Sequence, residues 1–257
     1  MASPLKEQIK KFQDTQVVKE FLDAIETKQI KEIYWCGGEP LMWDIHWKAM
    51  DRIIELGFAK EVYIRYNTNL SRTEFKGIKL FDLLPQFQDW QVCASIDGTN
   101  EVGEYIRDGL NYKQWLENFK KGLAVAKTSR EMRLDYTITL PGLLELTNMF
   151  NLSVELNTQI LTKVMFTFSN DEILSPLALP KELMHTIIDE ALEYIESRAT
   201  WKQQSIIDVL KNLKTRSNFV ATKTGKQRQE RIDKIRGQDI TKILAKDERV
   251  LEWWTNI

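Results

Sequence analysis

Apolar residues along the chain follow two spacings, one typical of helices and one typical of strands. A spacing of three and four residues predicts a first helix, which the side chain of Asp14 can cap. Its apolar face consists of Val17, Val18, Phe21, Leu22 and Ile25. The same spacing predicts further helices over 43–54, 115–123, 143–155 and 183–195. Gly57 can end the helix over 43–54, and Pro180 suits the first position of the helix over 183–195.

Runs of β-branched and aromatic residues lie between these helices and predict strands. Five strands are predicted, at 32–36, 61–66, 91–96, 132–139 and 163–168. Strands that alternate with helices imply right-handed crossovers and a mainly parallel sheet. Periodicity does not separate an open sheet from a barrel, but five strands are too few for a closed barrel of eight. The expected fold class is therefore α/β, with helices added at the C-terminal end.

The composition changes near residue 200. Trp201, Ile206, Ile207, Val209 and Leu210 suggest one more helix. A stretch rich in Lys, Arg, Gln and Thr then continues to about residue 236. We therefore predict a core over 1–200 and a helical or flexible basic appendage over 201–257.

Overall composition narrows the class of protein. The chain has 257 residues, of which 43% are hydrophobic, so one sizeable core can form. Its formal net charge of -1 gives no general attraction to nucleic acid or to anionic lipid. No apolar run approaches the roughly 20 residues that span a bilayer, and the first residues lack the apolar core of a secretion signal. We expect a cytoplasmic protein without membrane contact, and the balanced charge does not favour nucleic acid as a partner.

Cysteine and histidine are scarce. The two cysteines, Cys36 and Cys93, lie in apolar strand patterns and are interpreted as buried small residues. Two thiolates exclude a disulfide scaffold, and they cannot supply the usual cysteine set of an iron–sulfur cluster. His46 and His185 lie in helical patterns without a second ligand at metal-like spacing. No metal site is predicted within the chain.

Polar residues follow every predicted strand. The carboxyl ends of parallel strands share one edge of a sheet, where α/β proteins bind ligands. Each cluster alone also suits an ordinary turn or helix cap. Their recurrence at every strand end favours a site for a small polar ligand. The clusters are Gly37-Gly38-Glu39, Asn67-Thr68-Asn69, Ser95 with Asp97-Gly98, Thr137 with Thr139, and Ser169-Asn170-Asp171.

Three segments together resemble radical S-adenosylmethionine (SAM) proteins. The first reads IYWCGGEPL over 33–41, the second RYNTNLS over 65–71, and the third ASIDG over 94–98, followed by EYIR over 104–107. The late segment RIDKIR over 231–236 is similar to the C-terminal part of members with a twitch domain. The resemblance implies a partial (β/α)6 barrel that binds SAM.

The resemblance also implies roles for individual residues. Gly37, Gly38 and Glu39, followed by Pro40, would hold the amino group of SAM, since a carboxylate suits an ammonium group. Arg107 would pair with its carboxylate, although a surface cation at a helix start is the alternative reading. Thr139 and Phe168 would lie near the adenine. The remaining implied contacts, to the carboxylate or the ribose hydroxyls, come from Asn67, Thr68, Asn69, Ser95 and Asp97.

One motif of the family is absent from this sequence. The family carries three cysteines at Cys-x3-Cys-x2-Cys spacing, which hold a 4Fe-4S cluster, and the chain contains no such motif. The resemblance implies that the cluster lies on a segment outside this chain. A sheet edge without that segment exposes hydrogen-bonding groups, so a cluster-bearing partner chain or self-association is expected there.

Three functions follow from these observations. In the first, the chain is the C-terminal portion of a radical SAM enzyme. Together with the cluster-bearing segment it would cleave SAM reductively to a 5'-deoxyadenosyl radical. In the second, it is a non-catalytic binding or adapter module that keeps the scaffold. In the third, it is an adapter that uses its basic tail on nucleic acid. Because this fold supports many reactions, the sequence does not indicate the substrate.

Overall fold

A computed structural model of the chain describes residues 4–165, 169 and 171–257. The chain forms two compact units, Met1–Cys93 and Ala94–Ile257. The boundary falls inside a strand. The predicted division near residue 200 remains a prediction about domains, and residues 201–257 belong to the second unit.

The first unit contains helices and strands in alternation. Its helices are α1 (Pro4–Phe12), α2 (Val18–Glu26), α3 (Asp44–Glu55) and α4 (Leu80–Leu83). A π-helical turn, Gln13–Val17, joins α1 to α2. The strands are β1 (Glu32–Trp35), β2 (Tyr63–Thr68), β3 (Glu74–Phe75), β4 (Ile78–Lys79) and β5 (Asp89–Ile96), the last of which continues into the second unit.

The second unit is mainly helical around two further strands. These are β6 (Met132–Ile138) and β7 (Gln159–Val164). The helices before β7 are α5 (Asn100–Ile106), α6 (Tyr112–Val125), α7 (Leu140–Leu143) and α8 (Leu146–Glu155). Those after it are α9 (Lys181–Glu196), α10 (Gln204–Leu213), α11 (Lys223–Arg236), α12 (Ile240–Leu244) and α13 (Glu248–Asn256).

The long strands belong to a five-stranded sheet with the order β1-β2-β5-β6-β7. In the first unit β1 and β2 are parallel, with Ile33 opposite Ile64. In the second unit β6 and β7 are parallel, with Thr137 opposite Lys163. The strands β3 and β4 form a separate antiparallel hairpin. The predicted α/β class with five sheet strands is confirmed.

In both units, alternate positions along the strands differ in burial. In the first unit Ile33, Trp35, Ile64 and Tyr66 are buried. The intervening residues, which we call the polar face of the first unit, are half-buried or exposed: Glu32, Tyr34, Tyr63, Arg65 and Asn67. In the second unit Leu134, Tyr136 and Ile138 are buried core residues. The polar face of the second unit comprises Ser95, Arg133, Asp135, Thr137 and Lys163. Parallel strands covered on both faces usually carry continuous apolar runs, so this alternation marks one face as specialised.

Several predicted boundaries are wrong. Asp14 caps no helix, because it lies within the π-helical turn of a continuous helical stretch. The helix predicted over 143–155 starts later, as α8 at Leu146, because α7 ends at Leu143. Pro180 precedes α9 as its capping residue. Cys36, which follows β1, is exposed and not buried.

The last strand also starts earlier than predicted. It begins at Gln159, because fully buried Ile160 aligns with Leu134 in the core. The Thr158 hydroxyl donates to the Met132 carbonyl just before this strand. The predicted positions 166–168 lie outside the described residues. Among the residues that are described, no helix is long and apolar enough to cross a membrane.

Candidate functional site

The loop after β1 leaves backbone groups accessible. Gly37 has a positive φ of 82°, a conformation that glycine adopts without strain. A side chain at Gly37 or Gly38 would meet no atom within 4 Å, so the space around both residues is open. Pro40 is buried and starts a short 3-10 turn over Pro40–Met42. The two glycines can therefore approach a ligand closely.

Glu39 joins the loop after β1 to the loop after β2. Its Oε1 accepts hydrogen bonds from the Thr68 hydroxyl at 2.6 Å and the Leu41 amide at 3.2 Å. Its Oε2 accepts from the Asn69 amide at 2.7 Å. A carboxylate offers about four acceptor positions, so about one remains for a further donor. The predicted cluster of Glu39, Thr68 and Asn69 is thus brought together within the first unit.

The two asparagines of the second loop have intramolecular partners. The Asn67 Oδ1 accepts from the Tyr34 hydroxyl at 3.1 Å on the polar face of the first unit. The Asn69 Oδ1 accepts from the Ser71 amide at 2.9 Å and so shapes its own loop. The side chain of Arg65 stacks over the Tyr34 ring at 4.7 Å. Asn67 therefore lies beside an aromatic and a cationic group.

An aromatic cluster that includes a buried histidine lies in the same unit. His46 of α3 is fully buried, and its Nε2 lies 2.8 Å from the Tyr66 hydroxyl. The rings of Trp35 and Trp47 are each centred 4.8 Å from the imidazole. Burial lowers the pKa of His46 to about 3, so the ring is neutral near pH 7. Its contacts give it a structural role.

In the second unit, Asp97 and Arg107 form an ion pair. The Arg107 Nη2 donates to Asp97 Oδ1 at 3.2 Å, and its Nε lies 2.8 Å from Oδ2. Asp97 Oδ1 also accepts from the Thr137 amide at 3.2 Å. Asp97 is 6% exposed, so the pair fixes the guanidinium. The Arg107 guanidinium is therefore paired with a buried carboxylate, while 28% of its side chain stays exposed.

The other predicted residues of this unit have varied surroundings. Ser95 is half-buried on the polar face. The Thr139 hydroxyl caps α7 by accepting from the Gly142 amide at 3.0 Å. Asp171 accepts from the Thr222 hydroxyl, next to the start of α11. Phe168 and Asn170 lie outside the described residues.

Three glycines allow the loop that carries Asp97 to pack closely. A Cβ on Gly98 would lie 2.8 Å from the Val102 side chain, and one on Gly142 would lie 2.9 Å from the Asp97 carbonyl oxygen. A Cβ on Gly103 would lie only 2.3 Å from the Gly98 carbonyl oxygen. Contacts this close do not occur without a shift of the backbone. The geometry at Asp97 therefore depends on these glycines.

We expect Gly103→Ala to lower the free energy of unfolding by about 3 kcal/mol, because overpacking against backbone costs this order of energy. Gly38→Ala is the matched control, since a methyl group there meets open space. Urea denaturation of both variants provides the measurement. Equal stability of the two variants would contradict the packing at Gly103.

The C-terminal helices hold α5, the helix between Asp97 and Arg107. The Tyr105 hydroxyl donates to Asp233 of α11 at 2.9 Å, and the Gln229 amide donates to the same hydroxyl at 2.8 Å. All three side chains are buried. The Lys246 ammonium pairs with Glu101 of α5 at 2.9 Å. The predicted late segment 231–236 therefore contributes to the position of Arg107.

Tyr105 and Asp233 lie in segments that carry the resemblance, but sequence reasoning gave them no role, and it missed Asp135 and Lys163. Only Asp135 had a visible signal, as an acidic residue between Leu134 and Tyr136 within a strand. Among the described residues, no three His, Cys, Asp or Glu side chains cluster in a way that could hold a metal ion. The chain's described residues therefore do not fit a 4Fe-4S cluster. No protein-family model matches the chain, and neither does any curated protein.

Proposed function

We propose that the chain binds S-adenosylmethionine as the C-terminal portion of a radical SAM enzyme with a partial (β/α)6 barrel. One observation carries this proposal: the Glu39 carboxylate is fixed by three donors beside two open glycines. A carboxylate that is already positioned needs little reorganisation to accept an ammonium group. Glu39 would hold the amino group of SAM, with the exposed Gly37 and Gly38 carbonyl groups as further acceptors.

The second unit contains the other residues that the resemblance assigns to SAM. Arg107 uses its Nε and Nη2 toward Asp97, and its Nη1 remains as a donor for the SAM carboxylate. Ser95 and Asp97 supply a hydroxyl and a carboxylate, which suit ribose hydroxyls. Asn67 and Asn69 of the first unit supply further amide groups, and Thr68 acts through the hydrogen bond that its hydroxyl donates to Glu39. Binding and orientation of SAM are the steps that these residues perform.

Reductive cleavage of SAM lies outside what this chain's residues do. Because the described residues do not fit a cluster, the proposal places the 4Fe-4S cluster on a partner chain or on a segment outside this chain. β1 is the terminal strand of the sheet order, so its outer edge can accept an added strand. Self-association through that edge is the alternative. A cytoplasmic location belongs to the same proposal.

An adapter that binds nucleic acid through the basic region near α11 has less support. Lys211 pairs with Glu196 at 2.7 Å, and Lys214 pairs with Asp189. The Lys226 ammonium donates to the Trp254 carbonyl at 2.7 Å. Cations that are neutralised within the protein release few counterions from a phosphate backbone. A non-catalytic module that binds SAM remains the alternative to the enzyme.

Arg107→Lys tests the proposal in the second unit. We expect SAM affinity to fall about tenfold, because lysine keeps the charge but cannot bind two groups with fixed geometry. The measurement is calorimetric titration of the folded chain with SAM. Arg198→Lys is the control, since Arg198 stacks on Tyr194 at 4.2 Å in the same unit. Unchanged affinity of the Arg107 variant would remove Arg107 from the proposed site.

A further inference from the structure

An ion pair lies in the middle of the polar face of the second unit. Asp135 of β6 is 6% exposed, although it sits between the core residues Leu134 and Tyr136. Its Oδ2 lies 2.7 Å from the ammonium group of Lys163 on β7. The side chain of Lys163 is 52% exposed. The carboxylate is therefore shielded, while the ammonium group faces the space above the sheet.

Thr137 connects this ion pair to the Asp97–Arg107 ion pair. It lies directly opposite Lys163 in the parallel register, so the two side chains are neighbours on one face. The Thr137 amide donates to Asp97, the residue that holds Arg107. The Thr137 hydroxyl has no hydrogen-bond partner among the described residues. An available hydroxyl therefore lies next to Lys163, on a residue whose backbone contacts the Asp97 partner of Arg107.

Stability alone gives little reason for an ion pair at this position. An ion pair with a half-exposed partner contributes little to stability, because solvent screens the attraction while the buried carboxylate still loses its hydration. Asp135 takes one of the three donors of the Lys163 ammonium group, and two remain. Asp135 therefore acts to hold Lys163 in place while leaving donors for another partner.

We propose that Lys163 and the Thr137 hydroxyl form a subsite for an oxyanion, a carboxylate or a phosphate, of the substrate. An ammonium group with two remaining donors and an adjacent hydroxyl match the acceptors of such a group. The Nη1 group of Arg107 stays available as a donor for SAM. The subsite lies wholly in the second unit and does not depend on SAM binding. It narrows the substrate class to acidic small molecules or acidic groups of larger ones.

The test is titration of the folded chain with inorganic phosphate and, separately, with succinate, followed by NMR shifts of the Thr137 and Lys163 amides. We expect saturable shifts with at least one of the two anions. The anion that binds more tightly identifies phosphate or carboxylate as the preferred group. Saturation with neither anion would overturn the proposal.

Two substitutions should change the affinity for the anion in opposite directions. Lys163→Met should weaken anion binding at least fivefold, because it removes the cation. Asp135→Asn should strengthen binding, because it removes a competing negative charge and leaves Lys163 in place. A pair that served only to stabilise the sheet would give no gain in affinity for Asp135→Asn, and that result would overturn the proposal.

Matched controls separate this subsite from other effects. Lys211→Met removes a lysine from an ion pair at the same 2.7 Å distance, and it should leave anion binding unchanged. If Lys163→Met does not fold, Thr137→Val replaces it as the variant that should lower the affinity for the anion. Lys163→Met should keep wild-type SAM affinity. Loss of SAM binding and loss of anion binding are therefore read from separate titrations, so each proposal can fail alone.

Discussion

Glu39→Gln is expected to weaken SAM binding about tenfold or more while the chain stays folded. Glutamine can still accept hydrogen bonds through its Oε1, but it carries no charge for the ammonium group of SAM. Hydrogen bonds between charged groups contribute about 1.5–3 kcal/mol, and about 1.4 kcal/mol corresponds to tenfold in affinity. The measurement is calorimetric titration with SAM, with the circular dichroism spectrum as the check on folding.

Thr68→Val is the matched control for Glu39. It removes the hydroxyl that donates to Oε1 at 2.6 Å and leaves the carboxylate charged. An acceptor position is then released, so SAM affinity should be kept or improved. If Thr68→Val abolished binding as fully as Glu39→Gln, the order of the loop and not the charge of Glu39 would determine binding.

A large effect of pH on stability is expected from His46. Burial holds its folded pKa at about 3, whereas its ordinary value is 6.5. Between these values the unfolded chain binds more protons than the folded chain. The free energy of unfolding should therefore fall as the pH falls below 6.5, by up to about 1.4 kcal/mol per pH unit. Urea denaturation between pH 7 and pH 4 measures this slope.

The double variant His46→Phe/Tyr66→Phe isolates the contribution of the imidazole. Replacing both partners of the 2.8 Å contact by apolar groups costs little at pH 7. It should remove the part of the acid slope that His46 causes. His185→Gln leaves His46 and Tyr66 unchanged, so it should keep the part of the slope that His46 causes. Identical slopes in the wild type and the double variant would contradict the account of His46.

Local patterns predicted much of the fold because they record which face of each element is buried. The helix 43–54, the strands at 32–36 and 91–96, and the end of a helix at Gly57 follow from such patterns, and the structure contains α3, β1 and β5 there. The contact of Glu39 with Thr68 and Asn69 follows from adjacent parallel strands, whose carboxyl ends must meet. These parts needed no knowledge of distant residues.

The remaining features depend on contacts between residues far apart in the sequence. Tyr105 and Asp233 are 128 positions apart, and neither has a local signal. The apolar pattern that contains Lys163 predicted a strand start at 163, whereas β7 starts at Gln159. The ion pair of Lys163 with Asp135, 28 positions away, also has no local signal. The π-helical turn at Gln13–Val17 adds one residue to a helical turn, which apolar spacing does not report.

The proposed SAM site and the proposed oxyanion subsite both use residues on or beside a polar face of the sheet strands. A parallel sheet normally buries both faces, whereas Glu32, Tyr34 and Arg65 in the first unit are not buried. In the second unit, Arg107 and Lys163 are each held by a carboxylate that is about nine-tenths buried. Side chains fixed in this way are prepared for ligands before the ligands arrive.

Equilibrium dialysis against radiolabelled SAM measures whether this chain binds the proposed cofactor. We expect saturable uptake at one site, with a dissociation constant on the order of 0.1–1 mM, because the described residues do not fit a cluster whose iron would anchor two of the ligand's groups. Uptake should be strongly reduced in Glu39→Gln and kept in Thr68→Val. No saturable uptake by the wild-type chain at concentrations up to about ten times that range would contradict the account.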